Sequence, residues 1–474
     1  MPSANRKSLL VLLAALFLSL LTVSIVNVTL PSIERGLGAS EPALQWVLSG
    51  YALAFGLVLV GAGRAGDMMG RERLFVLGVA VFTLGAVLAA AAPTSLVLNG
   101  ARIVMGVGAG IFNPQISGLI QQYYQGAERA RAFGLFGGTV GLASAIGPLV
   151  GGLLLASLPE TLGWRATLGL NIPVGVAVVV LARLWLPRSS GSRPDRADFD
   201  PFGAGLLGAA VVCLMLPFML AGDRPVTWVL EPVGVALALG WFAWERSYAA
   251  RGREPMVDLD LFRIGTFSRG SLMIAVFFCG TTSVWVLQAQ FVQQGMGGTA
   301  LQAGLISLPA SLLLAVSAQI AGRMVMRIGR WIVVAGLVFS ILGLVAAVAV
   351  TEPVADGRVG LWALAASLAL IGFGNGMVTS PNQALTLAEV PVEHGGTAGG
   401  VMQTGQRIGT AMGAAAVTGL YFHHLPSGAA HAFRLGYGLV IGVFCATLAI
   451  ALADALARRT DRPMSSTRPS PARM

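Results

Sequence analysis

The chain has 474 residues, 55% of them hydrophobic and only 11% charged, with a mean hydropathy of +0.76. A soluble domain carries about 25% charged residues, so composition excludes a water-soluble fold and points to a polytopic membrane protein. The net charge of +10 is almost all arginine, Lys7 being the only lysine. These arginines gather at the ends of apolar segments instead of forming a continuous basic face, which excludes nucleic acid as a partner.

Runs of roughly 20 apolar residues, the length a helix needs to cross a bilayer, predict fourteen spans. The first, about 8–30, follows Arg6-Lys7; it is long enough to cross and no small-residue cleavage pattern closes it, so it reads as a transmembrane helix and not a signal peptide. Five more follow near 45–63, 74–92, 95–120, 131–156 and 164–186. A polar linker, Pro187 to Asp200, carries Arg188, Arg193, Asp195, Arg196 and Asp198. Two spans follow it near 202–221 and 227–246, and then a charged segment from Arg246 to Arg263. The last six lie near 267–290, 301–323, 330–350, 360–384, 397–422 and 433–457. The division expected is therefore a six-helix bundle over 1–186, a linker with two extra transmembrane helices over 187–266, a second six-helix bundle over 267–457 and a disordered tail over 458–474.

An even number of spans puts both termini on one side. Arg6, Lys7, Arg64, Arg71, Arg73, Arg129, Arg131, Arg183, Arg323, Arg327 and Arg330 all fall on that side, which makes it the expected cytoplasmic face. Opposite loops are nearly bare, with Glu34, Arg35, Glu41, Asp223, Arg224, Glu352, Asp356 and Arg358. Gly63-Arg64 through Gly70-Arg71 after the second span recurs as Gly322-Arg323 through Gly329-Arg330 after the tenth. Two six-helix halves with a two-helix insertion account for both copies, and weak internal symmetry of this kind marks secondary transporters.

The fifth span carries Gly134, Gly147, Pro148, Gly151 and Gly152, a density of small residues that suits close helix approach in hydrocarbon. Arg102 lies inside a spanning run, where a charge is costly and is by default functional; Arg407 is similar. A cavity between the halves needs convergent polar groups in an apolar wall. The candidates are Asn27, Arg102, Trp285, Gln288, Gln290, Asn375, Asn382, Gln383, Gln403 and Arg407. No Asp or Glu lies near the middle of a span. Neutral, zwitterionic or anionic amphiphiles are thus expected substrates. Cys213, Cys279 and Cys445 stand singly in apolar runs and suggest neither disulfides nor a metal site. His423, His424 and His431 near the outer loop before the last span, with no carboxylate or cysteine beside them, read as solvated. No phosphate-cradling loop and no convergent nucleophile and base appear, so no cofactor and no enzymatic reaction are expected.

Over nearly its whole length the chain resembles the major facilitator superfamily, and within it the fourteen-helix drug:proton antiporter group. Gly134, Gly147, Pro148, Gly151 and Gly152 match the fifth-helix antiporter motif G-x8-G-x3-G-P-x2-G-G, with Ala143 in place of one glycine. Gly63, Asp67, Gly70, Arg71 and Arg73 match the signature of the loop between helices 2 and 3, with Met68 and Glu72 where basic residues are usual. The second copy keeps Gly322, Gly329 and Arg330 but has Met326 at the aspartate position. Asn27 and Pro31 fit the first helix, Arg102, Gly106 and Gly108 the fourth with Met105 replacing glutamine, and Trp164, Arg165, Asn171, Pro173 and Gly175 the sixth.

The resemblance implies an all-α membrane protein of the major facilitator fold, two six-helix bundles with two additional central helices. It also implies a gate at Asp67 with Gly63, Gly70, Arg71 and Arg73, a role for Arg102 in the central cavity, alternating access, proton antiport, and a monomer in the plasma membrane with both termini cytoplasmic. One departure concerns coupling. The family pattern places an aspartate in the first helix where this chain has Thr22, which carries no titratable proton. The reading is a secondary exporter of amphiphilic small molecules such as drugs and antibiotics. Its alternatives are a dedicated exporter of an endogenous metabolite or lipid with weak or non-proton coupling, and a non-transporting membrane receptor or scaffold.

Overall fold

In the computed structural model, residues 3–187, 200–220 and 225–460 are described. The predicted linker residues 188–199, the Asp223-Arg224 pair and tail residues 461–474 lie outside them. Every regular element among the described residues is helical. The first bundle comprises α1 (Ser3–Leu37), α2 (Glu41–Met69), α3 (Arg71–Ala90), α4 (Ser95–Tyr123), α5 (Gly126–Ser157), α6 (Glu160–Gly169) and α7 (Asn171–Trp185). A hairpin of α8 (Pro201–Leu220) and α9 (Leu230–Ala250) follows. The second bundle comprises α10 (Gly265–Gln290), α11 (Ala300–Ile328), α12 (Trp331–Ala355), α13 (Trp362–Thr386), α14 (Gly395–His424) and α15 (Ala429–Thr460).

Among the described residues, thirteen helices are long and apolar enough to cross a membrane, α6 and α7 together counting as one. The fourteenth is the 30-residue α14, less apolar because Gly, Thr, Gln and Arg crowd its sequence. The sixth predicted span starts earlier than expected and is broken at Leu170, because Pro173 just inside α7 has no N–H to continue the ladder of α6. The turns of the internal repeat are alike: α2 stops at Gly70 (φ 104°) and α11 at Gly329 (φ 64°), backbone conformations that a Cβ disfavours. The start of α11 is set by a capping box, in which Thr299 Oγ1 accepts from Gln302 N–H at 3.1 Å and Gln302 Oε1 from Thr299 N–H at 2.8 Å.

Lipid offers helices no hydrophobic reason to associate, so packing relies on small residues and interhelical hydrogen bonds. Within the first bundle, a Cβ on Gly108 of α4 would stand 2.4 Å from the backbone nitrogen of Phe82 in α3; within the second, one on Gly372 of α13 would stand 2.1 Å from the Ala310 carbonyl of α11. The bundles meet along two seams, α2 against α14 and α5 against α11. The α8–α9 hairpin straddles the first seam. Met215 packs at Gly56 of α2, Gln45 Nε2 donates to the Met219 carbonyl at 2.6 Å, and Trp241, Met256 and Val257 form a small core with Val60 of α2 and Val401 of α14.

Candidate functional site

At the arginine-rich end a carboxylate, Asp67, stands at the centre of the bonds that join the bundles. The Asp67 side chain, 2% exposed at the end of α2, accepts through Oδ1 from Arg71 Nε at 2.8 Å and from the Gly396 N–H at 2.9 Å. Oδ2 accepts from the Thr397 N–H at 2.8 Å and its hydroxyl at 2.7 Å. Gly396 and Thr397 lie in the first turn of α14, whose N–H groups have no intrahelical acceptor and whose dipole presents its positive end. Arg71 continues the lock, donating to the Gly118 carbonyl (3.1 Å) and Gln122 Oε1 (3.3 Å) of α4 and to the Val392 and Glu393 carbonyls before α14. Gly63 lets α2 approach: a Cβ there would sit 2.4 Å from the Gly396 carbonyl oxygen. Arg73 is exposed and outside the network, while Arg64 pairs with Glu254 at 2.6 Å.

Further bonds cross at the same end. Gln121 Nε2 donates to the Leu387 and Val390 carbonyls, Gln383 Nε2 to Ser117 Oγ at 3.0 Å, Ser380 Oγ to the Phe133 carbonyl at 2.7 Å and Gln403 Nε2 to the Asn113 carbonyl at 3.4 Å. Gln383 and Gln403, expected at the cavity, instead tie the bundles. Gln121, Ser117 and Thr397 were not among the expected residues; their partners are more than 260 positions away, a separation no local pattern encodes.

The α5–α11 seam divides the glycines of the fifth span into two sets. Gly134 and Gly141 face α11: a Cβ would lie 3.1 Å from Gly322 Cα in the first case and 2.7 Å from the Ala315 nitrogen in the second. Gly147 and Gly151 pack against α1 of their own bundle, at Ser24 Cβ (2.5 Å) and Ile25 Cγ1 (2.8 Å), and Gly152 meets nothing within 4 Å. Close approach between the bundles therefore belongs to the first half of α5, before the proline.

Beyond Gly141 the helices part around a cavity of about 310 Å³ between α1, α5, α10 and α11, in the half of the molecule away from the termini. Asn27, Trp285 and Gln288 line it, as does Pro148, together with Ser24, Ser144, Ser307 and Ser311 in an otherwise apolar wall. Gln288 is fixed by Ser307 Oγ, which donates to its Oε1 at 2.8 Å, and by its own donation to the Ala303 carbonyl at 3.3 Å. No acidic side chain is in the lining.

The remaining candidates are not part of that lining. Thr22 is fully buried, its hydroxyl donating to Asn171 Oδ1 at 2.7 Å, and so ties α1 to α7. Gln290 sits at the end of α10. Asn375 accepts from Ser340 Oγ between α12 and α13. Asn382 accepts from Arg330 Nη1 and donates to the Gly270 carbonyl near the arginine-rich end. Arg102, 1% exposed, donates through Nε to the Val47 carbonyl at 2.9 Å and lies over the Tyr51 ring at 4.4 Å, while Arg407 of α14 lies over Phe55 at 4.1 Å. Among the described residues neither pairs with a carboxylate; both guanidiniums rest on aromatic faces of α2, where a desolvated cation–π contact contributes about 2 kcal/mol.

Asp454 is not among the residues that the sequence singles out. It is 1% exposed near the end of α15, and it binds Arg330 Nε at 2.5 Å and Arg269 Nε at 2.8 Å. The second copy of the repeat, with Met326 at the aspartate position, thus draws its carboxylate from another helix of the same bundle.

Two six-helix bundles joined by two seams, with a cavity between them shut at one end, define a membrane transporter of the alternating-access type. The Major Facilitator Superfamily model matches residues 12–250 and 270–473, and the chain belongs to that family. It is 35% identical over 431 residues to a probable actinorhodin transporter of Streptomyces coelicolor, covering 90% of this chain and 74% of that protein. It is 32% identical over 418 residues to the multidrug resistance protein Stp of Mycobacterium tuberculosis, covering 86% and 75%. The human organic anion transporter MFSD10 shares the fold, with a TM-score of 0.69 at 16% identity over 95% of this chain and all of that one.

Proposed function

We propose that this chain is a secondary active exporter of amphiphilic small molecules, drugs and antibiotics among them, working as a monomer in the cell membrane with both termini in the cytoplasm. The observation that carries the reading is the cavity between the bundles, set in the half away from the termini and sealed at the arginine-rich end by Asp67 and Arg71. Positive-inside asymmetry makes the sealed end cytoplasmic, so the arrangement is outward-facing. Relatives named as an actinorhodin transporter and a multidrug resistance protein support organic amphiphiles as cargo. The cavity suits neutral, zwitterionic or anionic molecules, because its polar groups are amides, hydroxyls and the Trp285 indole.

Proton antiport is the drive the family implies. Thr22 is engaged with Asn171 and no carboxylate lines the cavity, so the proton is carried by a carboxylate away from the substrate. Uptake into inside-out vesicles with an acidic lumen tests both parts. Accumulation that collapses with the pH gradient is expected; gradient-insensitive accumulation would remove proton coupling and leave export standing, and no accumulation of any amphiphile would remove export. In competition, a neutral or anionic amphiphile is expected to displace a dicationic one of similar size, and the reverse order would contradict the charge assignment.

A further inference from the structure

The internal repeat relates α2 to α11 and the segment at α14 to that at α5, so the two seams are two versions of one latch. In the α2–α14 version, Asp67 presents a carboxylate to the uncapped N–H groups that open α14. In the α11–α5 version the corresponding residue is Met326, 56% exposed, and α5 opens at Gly126 with no side-chain cap. Where the carboxylate is missing there is a pocket of about 850 Å³, lined by Gly126, Arg129 and Ala130 from the first turns of α5 and by Arg269, Arg327 and Arg330 from the second bundle.

The charges in this pocket are unbalanced. Four guanidiniums and one carboxylate line it: Glu389 accepts from Thr266 Oγ1 at 2.9 Å, and Asp454, outside the lining, pairs with Arg330 and Arg269. Arg330 and Arg269 are pre-positioned by Asp454, and Arg129 by its donation to the Ala388 carbonyl at 3.2 Å. Met326 and Ile328 leave an exposed apolar flank beside the arginines.

We infer that this pocket binds a phosphate-bearing anion, which bridges Arg129 of the first bundle to Arg269, Arg327 and Arg330 of the second and occupies the place Asp67 fills in the other latch. Guanidiniums recognise phosphate through paired, charge-assisted N–H donors, and α5 opens onto the pocket at Gly126. Two sources supply such a group: the headgroup of an anionic phospholipid from the adjacent leaflet, with its chains along Met326 and Ile328, or a soluble phosphate. Either one, bound across the seam, holds the arginine-rich end shut.

The test uses the purified full chain in neutral detergent, titrated with phosphatidylglycerol or with inorganic phosphate, binding being read from thermal unfolding and from native mass spectra. Saturable binding of at least one probe is expected. Phosphatidylglycerol binding that inorganic phosphate does not displace identifies the lipid, and displacement by phosphate identifies the soluble source. Arg129→Gln with Arg327→Gln is expected to weaken binding about tenfold, equivalent to about 1.4 kcal/mol. Met326→Asp, which restores a carboxylate within the chain, is expected to gain thermal stability without added anion and to lose the response to either probe. This second variant decides the matter if the double variant does not fold. No saturable binding, or binding unchanged in both variants, overturns the inference. Transport plays no part in these readouts, so they stand apart from the export assignment.

Discussion

The two latches begin from the same Gly-Arg turn and solve the same problem differently. In the first, Arg71 pairs with Asp67 four residues before it, and that carboxylate reaches across the seam to α14. In the second, Arg330 pairs with Asp454 of α15 and with Asn382 of α13, all within one bundle. A carboxylate that also bonds across a seam biases conformation, whereas one whose partners all lie within one bundle fixes that bundle. Identical motifs therefore need not have identical tasks, and the deciding difference is where the carboxylate comes from.

Substitutions separate the two roles. Asp454→Asn is expected to have the largest effect on stability, because it leaves Arg330, itself 2% exposed, and Arg269 without their shared anion. Removing one partner of a buried pair costs about 3–5 kcal/mol. Thermal unfolding and yield should fall while the balance between outward- and inward-facing forms in the surviving protein stays unchanged. Asp67→Asn also deprives a buried arginine, Arg71, of its anion, but it is expected to act chiefly at the seam, abolishing transport and opening the arginine-rich end.

Gly141→Leu drives a side chain into the α11 backbone across the seam, whereas Gly147→Leu meets Ser24 within the first bundle. Overpacking costs about 1–3 kcal/mol in either case. The first should shift the conformational balance, read by accessibility of a thiol placed in the seam, and the second should lower thermal stability without that shift. The smallest effect is expected for Thr22→Val, which removes one buried hydrogen bond to Asn171 at about 1 kcal/mol and should leave the pH profile of transport unchanged.

The sequence carries the architecture clearly because each span announces itself. Apolar runs of bilayer length are local, as are the Gly70 and Gly329 turns that mark the repeat. Asp67 and Arg71 are legible for the same reason, being four residues apart around the Gly70 turn. Asp454 is not, because nothing in the alanine-rich end of the last helix points to an arginine 124 residues earlier. Amides scattered along the spans read equally well as cavity groups or as helix ties. Asn27 and Gln288 lie in the lining of the cavity, while Asn375, Asn382, Gln383 and Gln403 bond to other helices, a choice made only by which face each helix turns inward. Pro148 divides the glycines of α5 in a way the motif does not reveal, since seam and bundle contacts call for the same small residues.

Asp67 holds the two bundles together at the arginine-rich end. Spin labels at Arg73→Cys in the first bundle and Arg323→Cys in the second, both exposed at that end, measure the separation directly in a background lacking Cys213, Cys279 and Cys445. A single short distance that gives way to a longer population in Asp67→Asn is the result predicted; an unchanged distance distribution would contradict it.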